Sequence, residues 1–234
     1  MAEAFKVDPA WTDKDSKVEE FRQLYETREF MDAYAAHTDI RLKADPKSAI
    51  GRSDEWESHG AMQLKFLRRR GMKPSSRLLD IGCGPGRAAR HLVPYLDSCN
   101  YIGVDISAAC LEHANALARG EGWEDKWPTF IRNGDLDIDA PPAFDFMWAH
   151  SVFTHLPAAQ IEVMVSNAAP RLKSDGQLLF TYKHSDQPER VGLKQFKYPF
   201  AVFEEIAIRH GLLATLLDVR WPAKQRTGLM AKPL

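Results

Sequence analysis

Three carboxylates and a cluster of glycines carry the chemistry open to this chain. In Arg77-Leu78-Leu79-Asp80-Ile81-Gly82-Cys83-Gly84-Pro85-Gly86-Arg87, an apolar run holding one acid breaks into a GxGxG turn. Glycines let a backbone bend tightly and approach a ligand with no Cβ in the way. The first N–H groups of a helix that follows are open to an anionic group. A dinucleotide fingerprint needs its third glycine at 87, where this chain has Arg87. A carboxylate such as Asp80 beside the turn suits a ligand with an ammonium group and is awkward beside a pyrophosphate.

Asp105 closes the next apolar run, Tyr101-Ile102-Gly103-Val104-Asp105, 23 residues after Gly82. An acid placed there can accept both hydroxyls of a ribose. Asp135, in Asn133-Gly134-Asp135-Leu136, follows a third run and can take a hydrogen bond from an exocyclic adenine amine. Each acid alone is also an ordinary turn residue. Three of them after three successive strands fall along one rim of a sheet.

The elements that must hold them can be read from periodicity. From Ser76 onward short apolar runs at 77–81, 101–105, 128–132, 144–149, 177–182, 212–219 and 227–231 read as strands. Helical stretches at 86–97, 107–119, 157–173 and 200–210 separate most of them. This alternation predicts a largely parallel sheet wrapped by helices. Only Trp221–Arg226 separates the last two runs, too little for a crossover helix, so they should pair antiparallel. Before residue 75 the chain reads as helical: Ser16 and Glu19 have capping-box spacing, and Phe21, Tyr25, Phe30 and Tyr34 form a stripe. Residues 38–52, with Asp45-Pro46 and Gly51, read as a loop. Ser53 should cap a second helix with Trp56, Met62, Phe66 and Leu67 on its apolar side. Arg68-Arg69-Arg70 at its end either complement the helix dipole or touch an anionic substrate.

Composition sets the outer limits. The 234 residues hold 31 basic and 32 acidic side chains, a formal charge of −1, which gives no footprint for nucleic acid or an anionic membrane. No secretory leader or stretch of membrane-spanning length is visible. Cys83, Cys99 and Cys110 form no ligand set, so a cytoplasmic protein with free thiols and no metal is expected.

At this point the chain resembles the class I, Rossmann-like S-adenosylmethionine (SAM)-dependent methyltransferases. The matching residues are LLDIGCGPGR at 78–87, GVDIS at 103–107, NGD at 133–135 and FDFMWAHSVFTHL at 144–156. Order and spacing agree over roughly 75–183, and LLATLLDVR with RTGLMAK resembles the family's closing hairpin. The resemblance implies an α/β fold: a seven-stranded sheet, mostly parallel with an antiparallel C-terminal hairpin, and helices on both faces. Residues 1–74 would form a helical cover and 75–234 the SAM-binding core. It further implies that Gly82, Cys83 and Gly84 pass around the aminoacyl end of SAM, with Asp80 nearby. Asp105 would hold the ribose, Ile106 would pack on adenine, and Asp135 with the Leu136 backbone would read the adenine edge. His150 and Ser151 would line the methionine side, and the tract 184–198 would be a substrate-side loop.

SAM brings an electrophilic methyl, and the product is S-adenosylhomocysteine (SAH). The protein must then align a small-molecule acceptor, and supply a base only if that acceptor loses a proton. Of His150, His155, Tyr182 and His184, His155 is the first choice, since it follows the fourth strand and imidazole titrates near neutrality. A polar residue packing at a helix entry is its ordinary alternative. Trp56, Phe66, Phe196, Tyr198 and Phe200 either wall an acceptor pocket or pack in the core. The expectation is methyl transfer to oxygen of a small molecule. A non-catalytic SAM-binding subunit and an NAD(P)-dependent oxidoreductase are the competing readings, the second weakened by Arg87.

Overall fold

A computed structural model describes residues 17–44, 55–139 and 143–233. Ser16, Ser53, Asp45-Pro46 and Gly51 lie outside them. Helices α1 (Lys17–Thr27), α2 (Phe30–Ala44) and α3 (Trp56–Arg69) lead into the alternating region. There β1 (Leu78–Ile81), α4 (Ala89–Tyr95), β2 (Tyr101–Asp105), α5 (Ala108–Gly120), β3 (Thr129–Arg132), β4 (Phe144–Ala149), α6 (Ala158–Ala168) and β5 (Leu172–His184) follow in order. The chain closes with β6 (Glu189–Val191), β7 (Gln195–Tyr198), α7 (Ala201–Arg209), β8 (Leu213–Trp221) and β9 (Gln225–Ala231).

All strands join one nine-stranded sheet, with β3-β2-β1-β4-β5 as its parallel centre. β9 runs antiparallel between β5 and β8, as the short 221–226 connection requires. Each of the seven expected strands is present. The two more come from the tract expected to be a loop: β6 and β7 form an antiparallel hairpin, and β7 pairs with β5 at Lys183 and His184, on the stretch that runs past β4. Gln195-Phe196-Lys197-Tyr198 alternates half-buried and buried positions, the period-two signature of a strand, and Gly192 at φ 62° opens the turn.

A second correction concerns residues 38–44, expected as loop and found as the last turns of α2. No Gly or Pro interrupts Thr38–Lys43, Leu42 is fully buried, and the Thr38 hydroxyl donates to the Tyr34 carbonyl at 2.9 Å. Arg41, Leu42, Lys43 and Ala44 are good helix formers, and burial of Leu42 adds tertiary support.

The sheet is packed on both faces. On one side Leu79, Ile81, Val104, Met147, Phe153, Leu178, Phe180 and Phe203 form the larger core, against which Phe30 and Met31 of α2 also pack. On the other side Phe66, Leu67, Leu92, Trp148 and Trp221 form a second core. Each large side chain buried in this way contributes about 1.5–3 kcal/mol. In α3, Met62 faces outward at 41% exposure while Gln63 is buried. The reason is polar: the Trp148 indole N–H donates to Gln63 Oε1 at 2.8 Å, so a buried donor is satisfied by a buried acceptor. Arg68 stacks on Tyr95 and Arg70 donates to Gln177 Oε1, which gives two members of the basic run structural roles.

Candidate active site

A cavity of about 410 Å³ opens at the carboxyl ends of β1, β2 and β4, the expected crevice of an open parallel sheet. Asp80, Gly82, Cys83, Gly84, Asp105, Ile106, His150 and His155 all line it. Asp135 and Leu136 do not; Asn133 and Gly134 reach the cavity instead. Asp135 Oδ1 accepts the Asp137 N–H at 3.0 Å, and Leu136 turns into the core at φ 67°.

Asp80 is held inside β1 with 3% of its surface exposed. The Tyr101 hydroxyl donates to its Oδ2 at 2.7 Å. Burial pushes this carboxyl up to about 7 against the opposing pull of the Tyr101 hydrogen bond. A buried carboxylate in this state gains from a cation brought beside it. The adjacent turn is shaped by Gly82, Gly84 and Gly86, at φ of 67°, 58° and 95°. Only glycine holds such angles without strain.

Asp105 fixes that turn to the next strand. Its Oδ2 accepts the Gly84 N–H at 2.9 Å and its Oδ1 the Ser107 N–H at 2.9 Å. Each oxygen keeps a further lone pair for a ligand. Burial raises its carboxyl to about 6, opposed by those two backbone donors. Ser107 caps α5 by accepting the Cys110 N–H, and its hydroxyl donates to Asp39 of α2. Helix α2 is thereby docked over this end of the cavity, with Met31, Tyr34, Thr38 and Arg41 as the face that lines it.

At the other end, His150 packs on Trp221 with ring centroids 4.6 Å apart and stacks on Trp148 at 5.4 Å. Burial drives its imidazole well below the ordinary histidine range, so the ring is neutral. Its Nδ1 has no hydrogen-bond partner among the described residues. The next residue, Ser151, adopts φ 61°, a left-handed angle that costs a non-glycine residue about 1–3 kcal/mol. A buried triangle holds it there. Ser151 N–H donates to Thr181 Oγ1 at 2.8 Å, Thr181 donates to Gln225 Oε1 at 2.6 Å, and Gln225 Nε2 donates to Ser151 Oγ at 2.6 Å.

His155 lies beyond this turn with its Nδ1 2.8 Å from the Lys194 carbonyl oxygen. A carbonyl only accepts, so Nδ1 carries the proton and Nε2 keeps the lone pair. Burial, with Lys194 nearby, lowers its imidazole to about 4, so it is neutral at physiological pH. Two of the other candidate bases, Tyr182 and His184, stand apart from the cavity. Tyr182 is in the core against Phe203, and His184 faces Asp186 at 3.7 Å. The aromatic candidates pack similarly: Phe66 on Trp148 and Trp221, Phe196 on Phe30, Tyr198 and Phe200 on Phe203, while Trp56 is buried in α3. Among the cavity residues that the sequence reading did not place in a site are Tyr34, Arg87, Lys194 and Gln225. No group of metal-ligating side chains occurs among the described residues, and none of their helices is long and apolar enough to cross a membrane.

Residues 79–178 match the model of a methyltransferase domain. Over 76 residues the chain is 36% identical to the malonyl-[acyl-carrier protein] O-methyltransferase of Legionella pneumophila, covering 32% of this chain and 26% of that one. Over 174 residues it is 26% identical to a sterol 24-C-methyltransferase of Gibberella zeae, covering 71% and 42%. The matched segments thus span about a quarter to two fifths of those relatives' lengths. In three dimensions it superposes on the magnesium protoporphyrin IX methyltransferase of Synechocystis PCC 6803 with bound SAM, with a TM-score of 0.59 at 16% identity, covering 94% and 92% of the two chains.

Proposed function

We propose that this chain is a class I SAM-dependent methyltransferase, a reading supported by the methyltransferase-domain match over residues 79–178 and by its fold, and that it transfers a methyl group from SAM to an oxygen of a small molecule. The observation that carries the reading is Asp80, a buried carboxylate beside a glycine turn, poised for an ammonium group and unsuited to a pyrophosphate. The cavity residues fit the cofactor along its length. Asp80 would take the amino group, Gly82 to Gly84 would follow the aminoacyl chain, and Asp105 would hold the ribose hydroxyls. Ile106 would pack on adenine. In this reading Asp135 and Leu136 support the adenine end through the Asn133–Gly134 turn, whose backbone they continue. His150 bounds the methionine side.

SAM supplies a methyl on a sulfonium, ready for in-line displacement. The chain's own part is to hold the acceptor oxygen about 3–3.5 Å from that carbon and keep water out. His155, its tautomer set by the Lys194 carbonyl, would accept the acceptor's proton at Nε2. Its buried, weakly basic ring suits an acceptor hydroxyl that is itself acidic, such as a phenol or carboxylic acid, better than an alkyl alcohol. The test is transfer of isotopically labelled methyl from SAM into an extract of small metabolites. Label appearing in one low-molecular-weight product supports the proposal. Tight SAH binding with no label transferred to any fraction would favour a non-catalytic SAM-binding subunit.

A further inference from the structure

Lys194 is the least expected residue of the site. It sits at the turn between β6 and β7, yet its side chain lines the cavity. Its ammonium lies 5.2 Å from the Tyr34 ring centroid. No carboxylate pairs with it among the described residues. Lys183 and Arg41 line the same cavity, and Lys183 donates to Gln195 Oε1 at 2.7 Å. Lys194 and Lys183 both act on His155, as does Arg41. The acids of the cavity, Asp80 and Asp105, serve the glycine turn, where the first pairs with Tyr101 and the second with backbone N–H groups. Positive charge is thus gathered beside the proposed base, on a chain whose overall charge is only −1. Burial holds the Lys194 ammonium down at about 7, helped by Arg41. A desolvated cation of this kind is costly unless an anion joins it. The Tyr34 ring lies against it, and the apolar Leu156 and Val191 line the same cavity.

We infer that Lys194 is the specificity-determining contact for an anionic acceptor, a molecule with an apolar or aromatic body and a carboxylate that pairs with its ammonium. The inference rests on the methyl-transfer reading and names the substrate class of that site. Lys183 and Arg41 strengthen the field without needing to touch the ligand. The turn that carries Lys194 also fixes His155 through its carbonyl, so one hairpin tip selects the acceptor and orients the base.

The test uses the full chain saturated with SAH and matched pairs of probes: benzoate with benzamide, 4-hydroxybenzoate with 4-hydroxybenzamide, and indole-3-acetate with indole-3-acetamide. Calorimetry should show at least one acid binding about ten- to a hundredfold tighter than its amide, the range of a hydrogen bond to a charged group. Lys194→Met should abolish that preference, Lys194→Arg should retain it, and Lys194→Glu should reverse it. SAH affinity should be unchanged in all three, which separates this inference from the cofactor assignment. Loss of SAH binding in the wild-type chain would instead remove the methyl-transfer reading itself. Acids and amides binding alike, no acid binding at all, or a preference surviving in Lys194→Met would each overturn the role of Lys194.

Discussion

If Asp80 receives the ammonium of the cofactor's amino-acid end, cofactor affinity must depend on pH in a calculable way. The carboxyl is pushed up to about 7 by burial, so it is half protonated at neutrality in the empty site. Only the ionised form pairs with an ammonium. Below pH 7, SAH affinity should therefore fall by about tenfold per pH unit, reaching about a hundredfold between pH 8 and pH 5. The neighbouring histidines do not confuse the window, because burial holds His150 and His155 below their ordinary range and hence neutral across most of it. Asp105, raised to about 6, adds a smaller fall in the same direction toward pH 5. Calorimetry in buffers of different ionisation enthalpy gives affinity and released protons together. The expected result is about one proton released per SAH bound at pH 6, fewer at pH 8. Asp80→Asn should weaken binding at pH 8 by about 1.5–3 kcal/mol and leave only the shallower Asp105 component. A flat profile in the wild-type chain, or an unaltered slope in Asp80→Asn, would refute the pairing.

The same two carboxyls set an opposite trend for the ligand-free protein. Their folded-state values lie above the ordinary carboxylate value, so at these two groups the folded chain holds more protons than the unfolded one between about pH 4 and pH 7, while the histidines lowered by burial act in the opposite sense. The difference between variants isolates the carboxyl: the stability of Asp80→Asn relative to the wild-type chain, without ligand, should rise between about pH 4 and pH 7, and a difference independent of pH in thermal melts would contradict the burial argument. Gly82→Ala should destabilise the fold by about 1–3 kcal/mol, because an added Cβ meets Val152 Cγ2 at 2.5 Å at a φ of 67°. Adding Val152→Ala should recover the steric part and leave the backbone part, and full recovery in thermal melts would show that the φ angle carries no cost. Gln63→Leu strands the buried Trp148 indole N–H and should cost about 1–3 kcal/mol in denaturant unfolding, with near-neutrality counting against α3 being fixed there. His155→Ala should lower kcat by about 10²–10⁴ with SAH affinity intact, and a near-native rate would remove it as the base.

The glycine turn, Asp80 and Asp105 were legible as a group because their signals are local. A glycine turn, an acid inside the strand before it and an acid ending the next strand are each read within a few residues, and the structure brings them to one cavity. The parallel sheet and its antiparallel close followed from spacing alone. What escaped is what tertiary packing decides. The last turns of α2 carry good helix formers in Arg41-Leu42-Lys43-Ala44 and were obscured by the Asp45-Pro46 that follows in sequence; burial of Leu42 fixes them. Hairpin β6–β7 is too short to stand alone; β6 has three residues, and the strands persist because β5 runs past β4 and offers β7 an edge. Lys194 gave no signal of its own because nothing local distinguishes a lysine turned into a cavity from one in solvent. Gln63 and Gln225 look like surface amides until Trp148 and Ser151 give them partners.

The most direct test of the central claim is thermal unfolding of the purified chain with SAH, SAM, NAD and NADP in parallel. A ligand at about a hundred times its Kd stabilises by about 2.7 kcal/mol, worth about 2–4 °C in Tm for a domain of this size. The account predicts that shift with SAH and SAM and none with the nicotinamide dinucleotides. A shift with NAD or NADP alone, or with none of the four, would contradict it.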